Sequence, residues 1–164
     1  MRVITIVVML ILGLSGCSAP VSFEAVTDVW EQGELPEPRD MAVLLPSDAT
    51  VQTMSGEQGV LYFCDGYEVA EQVFRSGDLS ATLEEVTGYP EARLSVVVTD
   101  GVEGKHYYCA WTSTGETGDL VCRAVIVDDG NYHYCLTVMA EAEKSAGMQE
   151  VWSQILSTYH DSAY

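Results

Sequence analysis

The second half of this chain carries the tightest constraint on its fold. Residues 94–99, 105–114, 120–127 and 132–140 are four extended runs joined at Asp100-Gly101, Gly115-Glu116 and Asp129-Gly130. Gly-containing pairs between such runs mark hairpins, so the four read as an antiparallel meander. Two-residue turns at Gly115-Glu116 and Asp129-Gly130 sort the side chains by parity. One face carries Tyr107, Cys109, Trp111, Leu120, Cys122, Ala124, Ile126, Cys135 and Met139; the other carries Tyr108, Ala110, Val121, Val125, Val127, Tyr132, Tyr134, Leu136 and Val138. Both faces are apolar. A sheet with one wet face would alternate apolar with polar, so each face of this one requires a cover.

Two segments supply covers. In 78–87, Asp78 is placed to cap a helix start, Leu79, Leu83 and Val86 share one stripe, and Gly88 with Pro90 ends it. In 145–159, Met148, Val151, Trp152, Ile155, Leu156 and Tyr159 recur at intervals of three and four, the mark of an amphipathic helix. Upstream, Met41 to Leu45, Val51 to Met54, Val60 to Cys64 and Tyr67 to Arg75 read as further strands, the last two joined by an Asp65-Gly66 hairpin. The expected fold class is α+β, an antiparallel meander packed with helices in an α-β-α sandwich, as one domain over 41–160.

Charge narrows the partners. The 164 residues hold 25 Asp and Glu against 7 Lys and Arg, a formal charge of −18. Such a surface repels phosphate, which excludes nucleic acid as a partner, and the 48% hydrophobic content excludes a disordered acidic tail. The N-terminus reads as an address. Arg2 is followed by an apolar stretch from Val3 to Leu12, too short for a hydrocarbon core of ~30 Å, and then by small residues. Leu14-Ser15-Gly16-Cys17 resembles a lipobox, the motif of bacterial lipoproteins. That resemblance implies a signal peptide at 1–16, diacylglyceryl transfer to the Cys17 thiol and a mature chain beginning there. An ordinary secretory signal or an uncleaved anchor helix would leave Cys17 unexplained. A two-chain lipid supplies stable membrane attachment without a basic patch, at about 0.8 kcal/mol per buried CH₂. Residues 17–40, with the Pro and acid-rich stretch Gly33 to Pro38, read as the lipidated N-terminus and a tether.

The closing strand Tyr132 to Met139, followed by a Trp-bearing helix ending Ser157-Thr158-Tyr159, resembles the close of PsbP/Mog1-type domains. The whole is also similar to small lipoproteins of Gram-positive gut bacteria. The resemblance implies the fold, and it carries over no catalytic residue.

Four cysteines remain beyond Cys17. With Gly115-Glu116 as the turn, Cys109 falls opposite Cys122 at a non-hydrogen-bonded site, where Cα atoms stand ~4.5 Å apart and a bridge is feasible. Cys109 and Cys122 are therefore the candidate disulfide, with thiols retained as small core residues the alternative. No Cys-x-x-Cys occurs, so no metal site is expected. His106, His133 and His160 are dispersed without a nucleophile elbow, and no catalytic residue or cofactor is assigned. Asp128 to Asn131 and Asp100 to Gly104 read as tight turns, since the glutamate that closes a calcium loop is missing. The nine tyrosines read first as cross-strand packing and second as a surface for stacking on a saccharide or peptide.

The expectation is a membrane-anchored extracytoplasmic lipoprotein that binds or scaffolds an envelope protein or saccharide, attached through its N-terminal lipid. The competing class is an envelope enzyme, a hydrolase or thiol redox protein with a site assembled from distant residues. A third is a carrier, which would need an apolar cavity in the sandwich.

Overall fold

The computed structural model describes residues 35–53, 59–116 and 118–162. Cys17, the signal segment and the tether up to residue 34 lie outside the described residues. Nine strands occur among them: β1 (Met41–Ala42), β2 (Thr50–Thr53), β3 (Gly59–Cys64), β4 (Tyr67–Arg75), β5 (Val96–Asp100), β6 (Lys105–Thr114), β7 (Asp119–Asp128), β8 (Tyr132–Glu141) and β9 (His160–Asp161). The helices are α1 (Leu79–Thr87), a single turn α2 (Ala142–Ser145) and α3 (Gln149–Ser157).

Seven strands form one antiparallel sheet in the order β2-β3-β4-β8-β7-β6-β5, while β1 pairs with β9. The order explains the helices. Because β4 pairs with the last long strand, β8, the chain must pass β8, β7 and β6 before it starts the meander at the far edge with β5. Helix α1 makes that crossing and covers one face as it goes. Leu83, wholly buried, packs there with Cys109, Ala124, Ile126 and Cys135. After β8 the chain folds back over the opposite face, where Trp152, Ile155, Leu156 and Tyr159 meet Val69, Val125, Tyr134, Leu136 and Val138. The sheet therefore has a helix against each apolar face, as the parity argument requires, although strand dominates the fold.

Helix α1 carries the caps expected of it. The Asp78 carboxylate accepts from the Ser80 N–H at 3.0 Å, and Gly88 closes the helix at φ 74° with its N–H on the Glu84 carbonyl. That left-handed conformation favours glycine. The second helix departs from expectation. A single helix over 145–159 is replaced by α2, a 3₁₀ turn at Ala146–Met148 and α3. Gly147, a poor helix former, and the Met148 backbone at φ −98° and ψ −1° interrupt it.

Two hairpins depart from expectation in one consistent way. The turn between β7 and β8 centres on Gly130-Asn131, one residue later than Asp129-Gly130, because Asp129 is the residue preceding the turn. Its Oδ1 accepts the N–H groups of Asn131 and Tyr132, both at 2.8 Å, and its own N–H donates to the Tyr132 carbonyl. Between β6 and β7, the Gly115 N–H donates to the Gly118 carbonyl at 2.8 Å, which again moves the centre by one residue. Moving a turn by one residue shifts each partner by two. Side chains keep their faces and change their neighbours. Cys109 consequently lies opposite Ala124, and Cys122 opposite Trp111, which corrects the expected pairing of Cys109 with Cys122.

The start of the domain also extends further back than residue 41. The Tyr132 hydroxyl donates to the Pro36 carbonyl at 2.8 Å, the Arg39 N–H donates to the Tyr134 hydroxyl at 3.0 Å, and the Arg39 guanidinium spans Asp129 at 3.4 Å and Asp161 at 3.2 Å. Residues 36–42 are thus a strap over the face that α3 shares, with Met41, Val43 and Leu45 packed on the same core.

Candidate functional site

Each cluster that bears on function can be built from its strand parity. The cysteines come first. Cys64, Cys109, Cys122 and Cys135 are free thiols. Burial pushes the Cys109 and Cys122 thiols up to about 11, and it raises Cys64 and Cys135 as well. A reactive or redox-active cysteine needs a stabilised thiolate near neutral pH. These four are held as thiols, which suits small packing residues.

His133 on β8 faces α1 and is 1% exposed. Its Nδ1 lies 2.8 Å from the Thr82 hydroxyl, and its Nε2 lies 3.5 Å from Ser76 Oγ and 3.7 Å from Asp128 Oδ2. The tautomer with its proton on Nε2 satisfies every partner: Thr82 donates to Nδ1, while Nε2–H points at Ser76 and Asp128. Acid, imidazole and hydroxyl do converge, but Ser76 donates its proton to Asp128 at 3.3 Å rather than to the imidazole. The arrangement is the wrong way round for activating a nucleophile. Its effect is to pin α1 to the sheet.

The tyrosines divide. Tyr132 and Tyr134 are buried, their rings tilted at 52° with centroids 6.1 Å apart, and both hydroxyls hold the strap. They are not a stacking surface. Tyr62 and Tyr159 converge on Glu71 of β4, donating to its two oxygens at 3.4 and 3.2 Å. Burial raises the Glu71 carboxyl above its ordinary range, the two hydroxyls pull it back, and Asp40 raises it further. A cleft of about 340 Å³ between the strap and β3–β4 has Glu71 in its wall.

A second space lies on the same face, beyond α3. The strap covers β3 and β4, and α3 covers β4, β8 and β7, so the β5–β6 side of this face is left open. A groove of about 380 Å³ results, lined by Val97, Tyr108, Ala110 and Arg123 from the sheet and by Ser153, Leu156 and Ser157 from α3. Pockets of this size with mostly apolar walls and a few polar groups are the usual form of a small-ligand site. Arg123, half-buried, lies directly across from Ala110, and no described carboxylate is within ion-pair distance of it. Ser153 and Ser157 donate their protons to the carbonyls of Gln149 at 2.7 Å and Gln154 at 3.0 Å, so each presents lone pairs outward. A further cleft of about 480 Å³ lies at the Asp65-Gly66 end, between Phe63, Tyr67, Glu116, Met139 and Lys144, with Lys144 paired to Glu141 at 2.7 Å.

Sequence reasoning passed over both Arg123 and Glu71, and one signal marks them. Arg123 sits between Val121 and Val125, and Glu71 between Val69 and Val73, each a charge at a position whose parity is apolar. Among the described residues no group of three or more potential metal ligands occurs, and no helix is long and apolar enough to cross a membrane.

No family model and no curated protein matches the chain. Solved structures do. The solution structure of cyanobacterial PsbP (CyanoP) from Synechocystis sp. PCC 6803 is similar with a TM-score of 0.58 at 9% identity, covering 74% of this chain and 86% of that one. A crystal structure from Bacteroides thetaiotaomicron VPI-5482 gives 0.51 at 15% identity over 74% of this chain, which spans 44% of that longer protein. At such identities the likeness is one of architecture. The fold is PsbP-like.

Proposed function

We propose that this protein is a lipid-anchored extracytoplasmic domain that binds a ligand or partner at the cell envelope and performs no chemistry on it. The anchoring half rests on Leu14-Ser15-Gly16-Cys17 and the short apolar stretch before it. The binding half rests on one observation above the others, the open groove beside α3 with an unpaired Arg123 in its wall. Cys109, Cys135 and His133 support the same reading, because they are closed off in the layer under α1, and the half-buried Cys64 at the other end of the sheet has its thiol raised by burial.

Metabolic labelling with palmitate and fractionation test the anchor. Wild-type protein is expected to take up label and sediment with membranes, and Cys17→Ala to lose both. A Cys17→Ala protein that keeps the label or is cut normally before residue 17 contradicts the lipoprotein reading. For the binding half, an envelope pull-down in mild detergent compares wild type with Ser157→Trp, which fills the groove. A partner lost from the variant supports the reading, and an identical set of partners contradicts it.

A further inference from the structure

Resting on that binding reading, we propose that the groove beside α3 takes the free carboxylate end of an apolar peptide. Three features converge on one ligand chemistry. The first is Arg123. In a chain with 25 acidic residues, a half-buried guanidinium without a described carboxylate partner is left with its fork of N–H donors unused. A planar carboxylate satisfies that fork with two charge-assisted hydrogen bonds. Three other described cations are engaged, Arg39 with Asp129 and Asp161, Lys144 with Glu141, and Arg93 over the Tyr89 ring at 5.3 Å, while Arg75 and Lys105 are exposed at strand ends, so Arg123 is the half-buried one without a described partner.

The second feature is the pair of serines on α3. With their protons on helix carbonyls, Ser153 and Ser157 face a ligand as acceptors. The complement to Arg123 on one side and to these acceptors on the other is a carboxylate with an N–H donor close by. A terminal amino-acid residue has that pair of groups, its carboxylate beside its amide N–H. A fatty acid has the first and lacks the second. The third feature is the apolar wall. Val97 is 61% exposed and shares the groove with Tyr108 and Leu156. An apolar side chain on the ligand's last residue would cover it. The surrounding negative charge of the domain works against anions in general, so selectivity depends on Arg123 being the one positive element of the groove.

The test uses the full chain in a mild detergent and titrates it calorimetrically with N-acetyl-phenylalanine, its neutral analogue N-acetyl-phenylalaninamide, and octanoate. The expected result is preference for the acid over the amide by about tenfold, the range of a charge-assisted pair at a half-exposed site. Arg123→Gln is expected to abolish that preference by weakening the acid alone, Arg123→Lys to keep only part of it, since the charge stays and the fork is lost, and Ser157→Trp to abolish binding of both. Thermal melts matching wild type show that each variant is folded. Acid and amide binding equally, with no effect of Arg123→Gln, overturns the carboxylate assignment and leaves the groove a binding site. Octanoate binding as tightly as N-acetyl-phenylalanine overturns the peptide assignment. No titration with any of the three, unchanged by Ser157→Trp, overturns the proposal and removes the groove as the basis of the binding reading.

Discussion

The two faces of the sheet are built from the same kind of strand and are used differently. Under α1 the sheet side chains buried around Leu83 are mostly small, Cys109, Ala124 and Cys135 beside Ile126, with Phe74, Tyr107 and Trp111 at the margin, and a polar pin of Thr82, His133, Ser76 and Asp128 fixes the helix in place. Under α3 they are large, with Trp152, Tyr134 and Tyr159, and the cover is assembled from two pieces, strap and helix, that do not reach the β5–β6 side. Both helices are nine residues long, so their placement decides the difference. The first layer extends to the β5–β6 side, where Leu94, Val96, Tyr107 and Trp111 pack against it, whereas α3 returns over β4, β8 and β7 and leaves that side of its face open. The lesson is that a groove in such a fold arises from where the covering helix stops, not from any special strand.

The largest test of this contrast is core truncation. Trp152 is wholly buried, and Trp152→Ala is expected to cost about 3–5 kcal/mol in chemical denaturation, more than Leu83→Ala at about 2–4 kcal/mol on the tighter face. The Trp152 indole N–H has no described acceptor, so Trp152→Phe is expected to cost much less than the alanine change. Equal losses for Trp152→Ala and Trp152→Phe would place the value of this residue in its N–H and contradict the packing account. Next in size is the pin. Thr82→Val removes the hydroxyl on His133 Nδ1 and leaves a buried ring nitrogen unpaired, at an expected cost of about 1–2 kcal/mol with fastest hydrogen exchange in α1. Exchange that quickens in α3 instead would break the assignment of His133 to the α1 layer.

Smaller effects belong to the strap side of the open face. The Glu71 carboxyl is raised by burial, so the folded state holds its proton more tightly than the unfolded one, and this contribution to stability falls as pH rises through its folded value. Glu71→Gln keeps one acceptor oxygen for one of the two tyrosines and offers an N–H to the hydroxyl oxygen of the other, without the charge. It is expected to raise stability at neutral pH by under about 1 kcal/mol, discounted for partial solvent screening, and to leave stability unchanged near pH 4. A variant less stable than wild type at pH 7 would show that the carboxylate is needed in charged form. Of similar size, Arg39→Ala is expected to lose under about 1 kcal/mol, only partly screened by high salt, because the guanidinium is 43% exposed while the Asp129 and Asp161 side chains it meets are 4% and 9% exposed.

The alternation of side chains made the two faces legible in the sequence, and Asp78 with Gly88 made α1 legible, because parity and caps are local properties. Strand partners were less so. A turn displaced by one residue leaves every face intact and moves every partner by two, so Cys109 met Ala124 although its face was read correctly. The strap was hidden for a different reason. Its partners stand far along the chain, Tyr134 95 residues from Arg39 and Asp161 122 residues away, and no periodicity links them. Arg123 and Glu71 were visible as charges breaking an apolar alternation, but only the stopping point of α3 and the path of the strap determine that one faces an open groove and the other lies against buried tyrosines.

The claim that one face is closed and the other receives a ligand is tested most directly by amide chemical-shift mapping of the ¹⁵N-labelled protein during titration with N-acetyl-phenylalanine. The account predicts perturbations at Val97, Tyr108, Arg123 and Ser153 to Ser157, with the amides of Thr82, Leu83, His133 and Cys135 unmoved. Shifts centred on Thr82, His133 and Cys135, with the α3 groove silent, would contradict it.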